Sequence, residues 1–133
     1  MPDLRPSEIY YSQDQISAHF GRSTCHAYQP IGGALDKLCN GEISVCDIQK
    51  IKVTKKGDDG KWYTVDNRRL WIFRYLEGAG KCSRITCEEV EFCELSYGHK
   101  FSSSNGGKTV TFIRDGDPGG EWHKRIRPAN PSW

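Results

Sequence analysis

The sequence predicts an α+β protein, a small mixed sheet with helices packed on it, followed by a glycine-rich C-terminal extension. Three observations point there. Short β-branched and aromatic runs, Ile51 to Val53 and Trp62 to Val65, alternate with helical patterns at Ala34 to Leu38 and Leu70 to Leu76. The turn residues Gly57-Asp58-Asp59-Gly60 separate the two runs and suit a hairpin. Beyond residue 96 the composition changes, with Gly98, Gly106, Gly107, Gly116, Gly119 and Gly120. At 133 residues the chain reads as one domain, 1–133, with its core over 8–92 and the extension over 96–133.

Each element has its own signal. Residues 1–7 form a polar, proline-bounded lead-in that is expected to be loosely held. Glu8 to Tyr11 reads as a short strand. Ser12 then serves as the N-cap of a helix through Ile16 and Phe20, with Gln15 at the capping-box position and Gly21 as the stop. A second helix over Ala34 to Leu38 ends at Asn40-Gly41. Ile48, Ile51 and Val53 lead into a strand, which the hairpin joins to Trp62–Val65. Asp66 and Asn67, both N-cap formers, open a helix that runs to Gly78, where Gly78-Ala79-Gly80 stops it. Leu70, Ile72, Phe73 and Leu76 are its buried face. Arg84 to Phe92 and Lys108 to Arg114 read as two further strands.

Composition narrows the functions. Lysine and arginine number 19 against 17 aspartates and glutamates, so any electrostatic footprint is local rather than global. No run reaches the roughly 18 apolar residues of a membrane helix, so no membrane partner is expected. The start, Met1 to Pro6, has neither the basic nor the apolar part of a secretory leader, so the chain as given is expected inside the cell, in the cytoplasm. Six cysteines, Cys25, Cys39, Cys46, Cys82, Cys87 and Cys93, are then expected as reduced thiols. Cys82, Cys87, Cys93 and His99 lack the tight Cys-x-x-Cys spacing of a zinc knuckle, and no metal site is assigned.

The junction Thr64 to Leu76 carries the strongest functional signal. A strand feeds a helix whose first turn holds Arg68 and Arg69. The free N–H groups and dipole of a helix start suit an anion, and two guanidinium forks add charge-assisted donors. Asn67, Arg68 and Arg69 are the phosphate-binding candidates. The loop Gly21-Arg22-Ser23-Thr24 adds Arg22 and Ser23, and in this fold it would face Asp66–Arg69 across one cleft. Asp66, the nearest carboxylate, can orient a nucleophile, help hold a divalent metal, or simply cap the helix. His19 is the candidate proton carrier. In the tail, Trp122, Lys124, Arg125 and Arg127 are candidate nucleic-acid contacts, cations for phosphates and an indole for a base.

The segment around Asp66-Asn67-Arg68-Arg69 resembles the signature of the ParB/sulfiredoxin superfamily. There a strand ends in a Gly-Glu-Arg-Arg or Gly-Cys-His-Arg turn and a helix begins that binds nucleotide phosphate. The likeness extends over about residues 8 to 92. It implies a ParB-like nuclease domain, or an enzyme of nucleotide chemistry using Mg2+ with the nucleotide. Two departures stand out. Asn67 occupies the place of the sulfiredoxin cysteine and cannot act as a thiolate, so sulfinic-acid reduction is not expected. Asp66 replaces the leading glycine.

Three functions stay open on the residues alone. The first is phosphate chemistry on nucleic acid or a nucleotide. The second is a non-catalytic module that binds one of these, and the third is a protein-interaction domain.

Overall fold

The computed structural model describes residues 2–19, 29–55, 60–92 and 107–130. In those residues the fold is α+β, with two helices and eight short strands in three small sheets. The strands are β1 (Asp3–Leu4), β2 (Ile9–Tyr11), β3 (Gln15–Ile16), β4 (Lys52–Lys55), β5 (Trp62–Thr64), β6 (Ile85–Thr86), β7 (Glu88–Glu89) and β8 (Thr111–Phe112). The helices are α1 (Ile31–Cys39) and α2 (Asn67–Gly78).

The central sheet has the order β2-β5-β4-β7. Antiparallel pairing of β4 with β5, Val53 opposite Thr64 and Lys55 opposite Trp62, is the hairpin expected from the sequence. Its turn, residues 56–59, lies outside the described residues. β2 joins β5 in parallel, Ile9 opposite Trp62 and Tyr11 opposite Thr64. Ile9, Tyr11 and Val53, all buried, pack with Leu35 and Leu38 of α1 and with Leu70, Ile72 and Leu76 of α2 in one hydrophobic core. Burying such a side chain stabilises by about 1.5–3 kcal/mol. The helix ends are as expected: Gly41 (φ 75°) and Gly80 (φ 72°) take left-handed backbone just past α1 and α2.

Four expectations are overturned by pairing that the local pattern does not contain. Ser12 does not cap a helix. Its N–H and hydroxyl bond the Asn67 side chain, and the chain goes on as β3, parallel to β8 with Ile16 opposite Phe112. The expected strand from Arg84 to Phe92 is two strands in different sheets. At Cys87 the N–H turns to the Pro2 carbonyl, so β6 pairs with β1 and β7 with β4. Of the expected strand Lys108 to Arg114 only β8 forms, because Ile113–Asp115 closes a 3-10 turn with Arg114 at φ 54°. The lead-in is docked rather than loose: Leu4 and Pro6 are buried, and Asp3 pairs with Thr86.

The C-terminal segment straps the helices. Asp36 on α1 accepts the Glu121 and Trp122 N–H groups at 2.9 and 3.0 Å. The Trp122 indole N–H donates to Asn40 at 2.9 Å. His123 packs its ring near Trp71 and Tyr75 of α2. Gly32 and Gly78 let the strap backbone lie against the two helices, where a Cβ would collide with the Gly119 and Arg127 carbonyls.

Candidate functional site

At the start of α2 the structure brings together five of the residues singled out in the sequence. Asn67 is buried. Its Oδ1 accepts the Ser12 N–H at 3.0 Å, and its amide donates to the Ser12 hydroxyl at 3.1 Å and the Val65 carbonyl at 3.3 Å. Asp66 is the N-cap residue of α2, yet its carboxylate makes no cap bond. It accepts instead the Lys52 N–H of β4 at 2.8 Å and lies 3.7 Å from Arg69. Arg69 donates to the Lys50 carbonyl at 3.1 Å. Arg68 donates to the His19 carbonyl at 2.8 Å, which joins two candidates 49 positions apart. Burial and the adjacent Arg69 lower the Arg68 pKa, against which Asp66 acts weakly. In this geometry the two guanidinium groups clamp backbone carbonyls of neighbouring segments. Arg22 and Ser23 lie outside the described residues.

The tail candidates lie elsewhere, on the strap. Trp122 is partly covered, with its N–H on Asn40 and the Lys81 ammonium 5.4 Å from its ring centre. Lys124 lies 3.6 Å from Glu121, while Arg125 and Arg127 are exposed.

A different cleft gathers more chemistry. It is an open cleft of about 560 Å3 lined by Arg5, Ser7, Glu8, Tyr10, Gly60, Lys61, Trp62, Arg84 and Asn130. Three cations therefore meet two aromatic rings and one carboxylate. Glu8 is engaged within the wall: its Oε1 accepts the Arg5 N–H at 2.8 Å and lies 3.8 Å from the Arg84 guanidinium. The Lys61 ammonium stands 5.1 Å from the Tyr10 ring, and Lys55 stands 5.0 Å from the Trp62 ring. Cations over ring faces at this range are mutually attracted.

Helix α2 holds this cleft from behind. Glu77 accepts both the N–H and the hydroxyl of Ser7 at 2.8 Å. Arg74 is completely buried and donates to the carbonyls of Ile9 and Lys108 and, at 3.4 Å, to the Asn130 amide oxygen. Its guanidinium also lies 4.3 Å from the Tyr11 ring. Burial lowers the Arg74 pKa, with Tyr11, Tyr10 and Glu77 opposing that effect. Ser7, Tyr10 and Asn130 thus line the cleft at positions set by two polar groups of one helix.

Sequence reasoning missed this cleft. Arg5 lies in a lead-in whose composition reads as loose, Arg84 in a run whose pattern reads as one strand, and Arg74 between apolar residues. The adjacent Lys61-Trp62, a cation beside an aromatic, was the one local signal. A smaller hollow of about 190 Å3, lined by Val45, Cys46, Ile48, Lys50, Ile51, Phe73, Ile85 and Thr86, is mostly apolar. Among the described residues Cys39, Cys46, Cys82 and Cys87 are free thiols, and no helix is long and apolar enough to cross a membrane. Comparison of the chain with protein-family models, curated proteins and solved structures gives no match.

Proposed function

We propose that the chain is a non-catalytic, intracellular binding module for a phosphate-bearing ligand, a nucleotide or nucleic acid, held in the cleft around Trp62. One observation carries this reading: Arg5, Lys61 and Arg84 converge there with the rings of Tyr10 and Trp62. Guanidinium and ammonium groups match phosphate oxygens, and an indole face accepts a base. The ParB/sulfiredoxin-like relationship is part of the proposal, supported by the direct passage of β5 into α2 at residues 64–67.

The test is titration with nucleoside phosphates and short oligonucleotides, read by thermal shift and tryptophan fluorescence. Replacing Lys61 and Arg84 together with Ala should weaken binding at least tenfold with the circular dichroism spectrum unchanged. Retention of full affinity by that variant would remove the cleft as the site.

Phosphoryl chemistry at the start of α2 is the second reading, and the bond from Arg68 to the His19 backbone carbonyl, which brings the His19 main chain to this junction, favours it. Incubation with nucleotides and single-stranded nucleic acid, with and without Mg2+, decides it. Product formation that is lost in Asp66→Asn supports catalysis, whereas unchanged substrate leaves only binding.

A further inference from the structure

The donors of the cleft differ from those of a site for a single terminal phosphate. Such sites hold a dianion with converging backbone N–H groups at a helix start or a nest. Here the cations are long side chains drawn from three separate segments: Arg5 just after β1, Lys61 just before β5, and Arg84 just before β6. Arg5 and Arg84 are exposed and Lys61 half-buried, so the charges border an open groove. Lys55, opposite Trp62 across the hairpin, adds a further cation beside that ring. Three separate cations lining one open cleft match a diester chain, which carries one charge per nucleotide.

The rings add a constraint on strandedness. Trp62 is half-buried and lines the cleft, and the Lys55 ammonium covers one face of its ring at 5.0 Å, so a base stacks on the other face or displaces that lysine. A base inside a duplex cannot reach such a ring, whereas an unpaired base can stack on it.

We propose that the cleft is a track for single-stranded nucleic acid, with Arg5, Lys61 and Arg84 on successive phosphates and a base stacked on Trp62. This rests on the phosphate-binding reading of the same cleft and adds the class of ligand. Contacts are to backbone and ring faces, so binding is tolerant of sequence.

The experiment is fluorescence anisotropy of the full chain with a labelled 12-nucleotide oligothymidylate over a salt series. Thymidine monophosphate, a 12-base-pair duplex and polyglutamate serve as competitors. The single strand should bind at least tenfold more tightly than each competitor. The log–log salt slope should be roughly −2, since each phosphate contact on a single strand contributes about 0.7. Arg84→Ala should reduce that slope by about 0.7, and Trp62→Leu should weaken binding about tenfold with the slope retained. Arg5→Ala and Arg84→Ala alter exposed side chains, so the slope test stands even if Trp62→Leu misfolds. Equal binding of the monophosphate overturns the track and leaves the phosphate-binding reading intact. Equal binding of polyglutamate or duplex overturns single-stranded nucleic acid as the ligand. No binding of any probe at low salt overturns both readings.

Discussion

Arg74 is the residue on which most of the architecture converges. A charge with no described carboxylate within ion-pair distance is stable in the interior only when its donors are used. The two terminal nitrogens of the guanidinium donate to two carbonyls and an amide oxygen, and its plane lies near the Tyr11 ring. Of its donors, only the buried Nε–H finds no acceptor among the described residues. Replacing Arg74 with Met keeps the volume but leaves the Ile9 and Lys108 carbonyls without that donor. The expected loss is about 1–3 kcal/mol, measured by urea denaturation, the range for removing the donor of a buried hydrogen bond. Arg74→Lys should fall between, because one ammonium cannot bridge both carbonyls in the same plane. An unchanged midpoint for Arg74→Met would show that the fork contributes nothing net. Asn67 makes the same argument on a smaller scale. Its amide joins the turn after β2 to the start of α2, so Asn67→Ala should destabilise by about 1–3 kcal/mol in the same assay.

Among the elements, the C-terminal strap depends on two small features of α1. The Asp36 carboxylate caps the 3-10 turn Trp122–Lys124 through the N–H groups of Glu121 and Trp122. Asp36→Ala should cost about 0.5–2 kcal/mol, the usual value of a cap. The effect should be local, with hydrogen exchange faster over residues 116–130 and unchanged in β2, β4 and β5. Gly32→Ala places a methyl group against the Gly119 carbonyl, a backbone atom that cannot swing aside. Its strap should be released more fully than in Asp36→Ala, seen as protease cleavage after Lys124 or Arg125 with the core intact. If Gly32→Ala resists cleavage as the parent does, the Gly119 carbonyl does not lie against Gly32 in solution.

At the scale of the molecule, burial of acidic side-chain groups sets the response to alkali. Burial, with a smaller push from Glu77, raises the Cys82 thiol to about 11. Burial, helped by Asp3, raises Cys87 to about 12. Tyr75 is raised by burial, and Tyr11 by burial partly offset by Arg74. An unfolded thiol ionises near 8.5. Above that pH the unfolded chain releases protons that the native state retains, so stability falls as pH rises; below it both states are protonated and this contribution is complete. The denaturation midpoint should be level from pH 6 to 8 and decline from pH 9 to 11. The Cys87→Ala variant should show a shallower decline. A parent curve that stays level to pH 11 would mean that these groups are solvated in the native state.

Much of the fold was legible because its signals are local. Helix α2 begins at Asn67 and ends at Gly78 as read from a cap-forming pair, an apolar period and a terminal glycine run. The β4–β5 hairpin followed from two β-rich runs around turn residues. The pairing of β2 with β5, the split of residues 85–89 between two sheets and the replacement of a helix by β3 depend on partners up to 97 positions away. No local pattern specifies those partners. The junction at residues 66–69 was identified from its chemistry, and the tertiary structure decided what its donors touch: backbone carbonyls and a neighbouring turn. The cleft belongs wholly to the tertiary level. Its cations come from positions 5, 61 and 84, and only folding, which spends chain entropy on long-range burial, brings them to one wall.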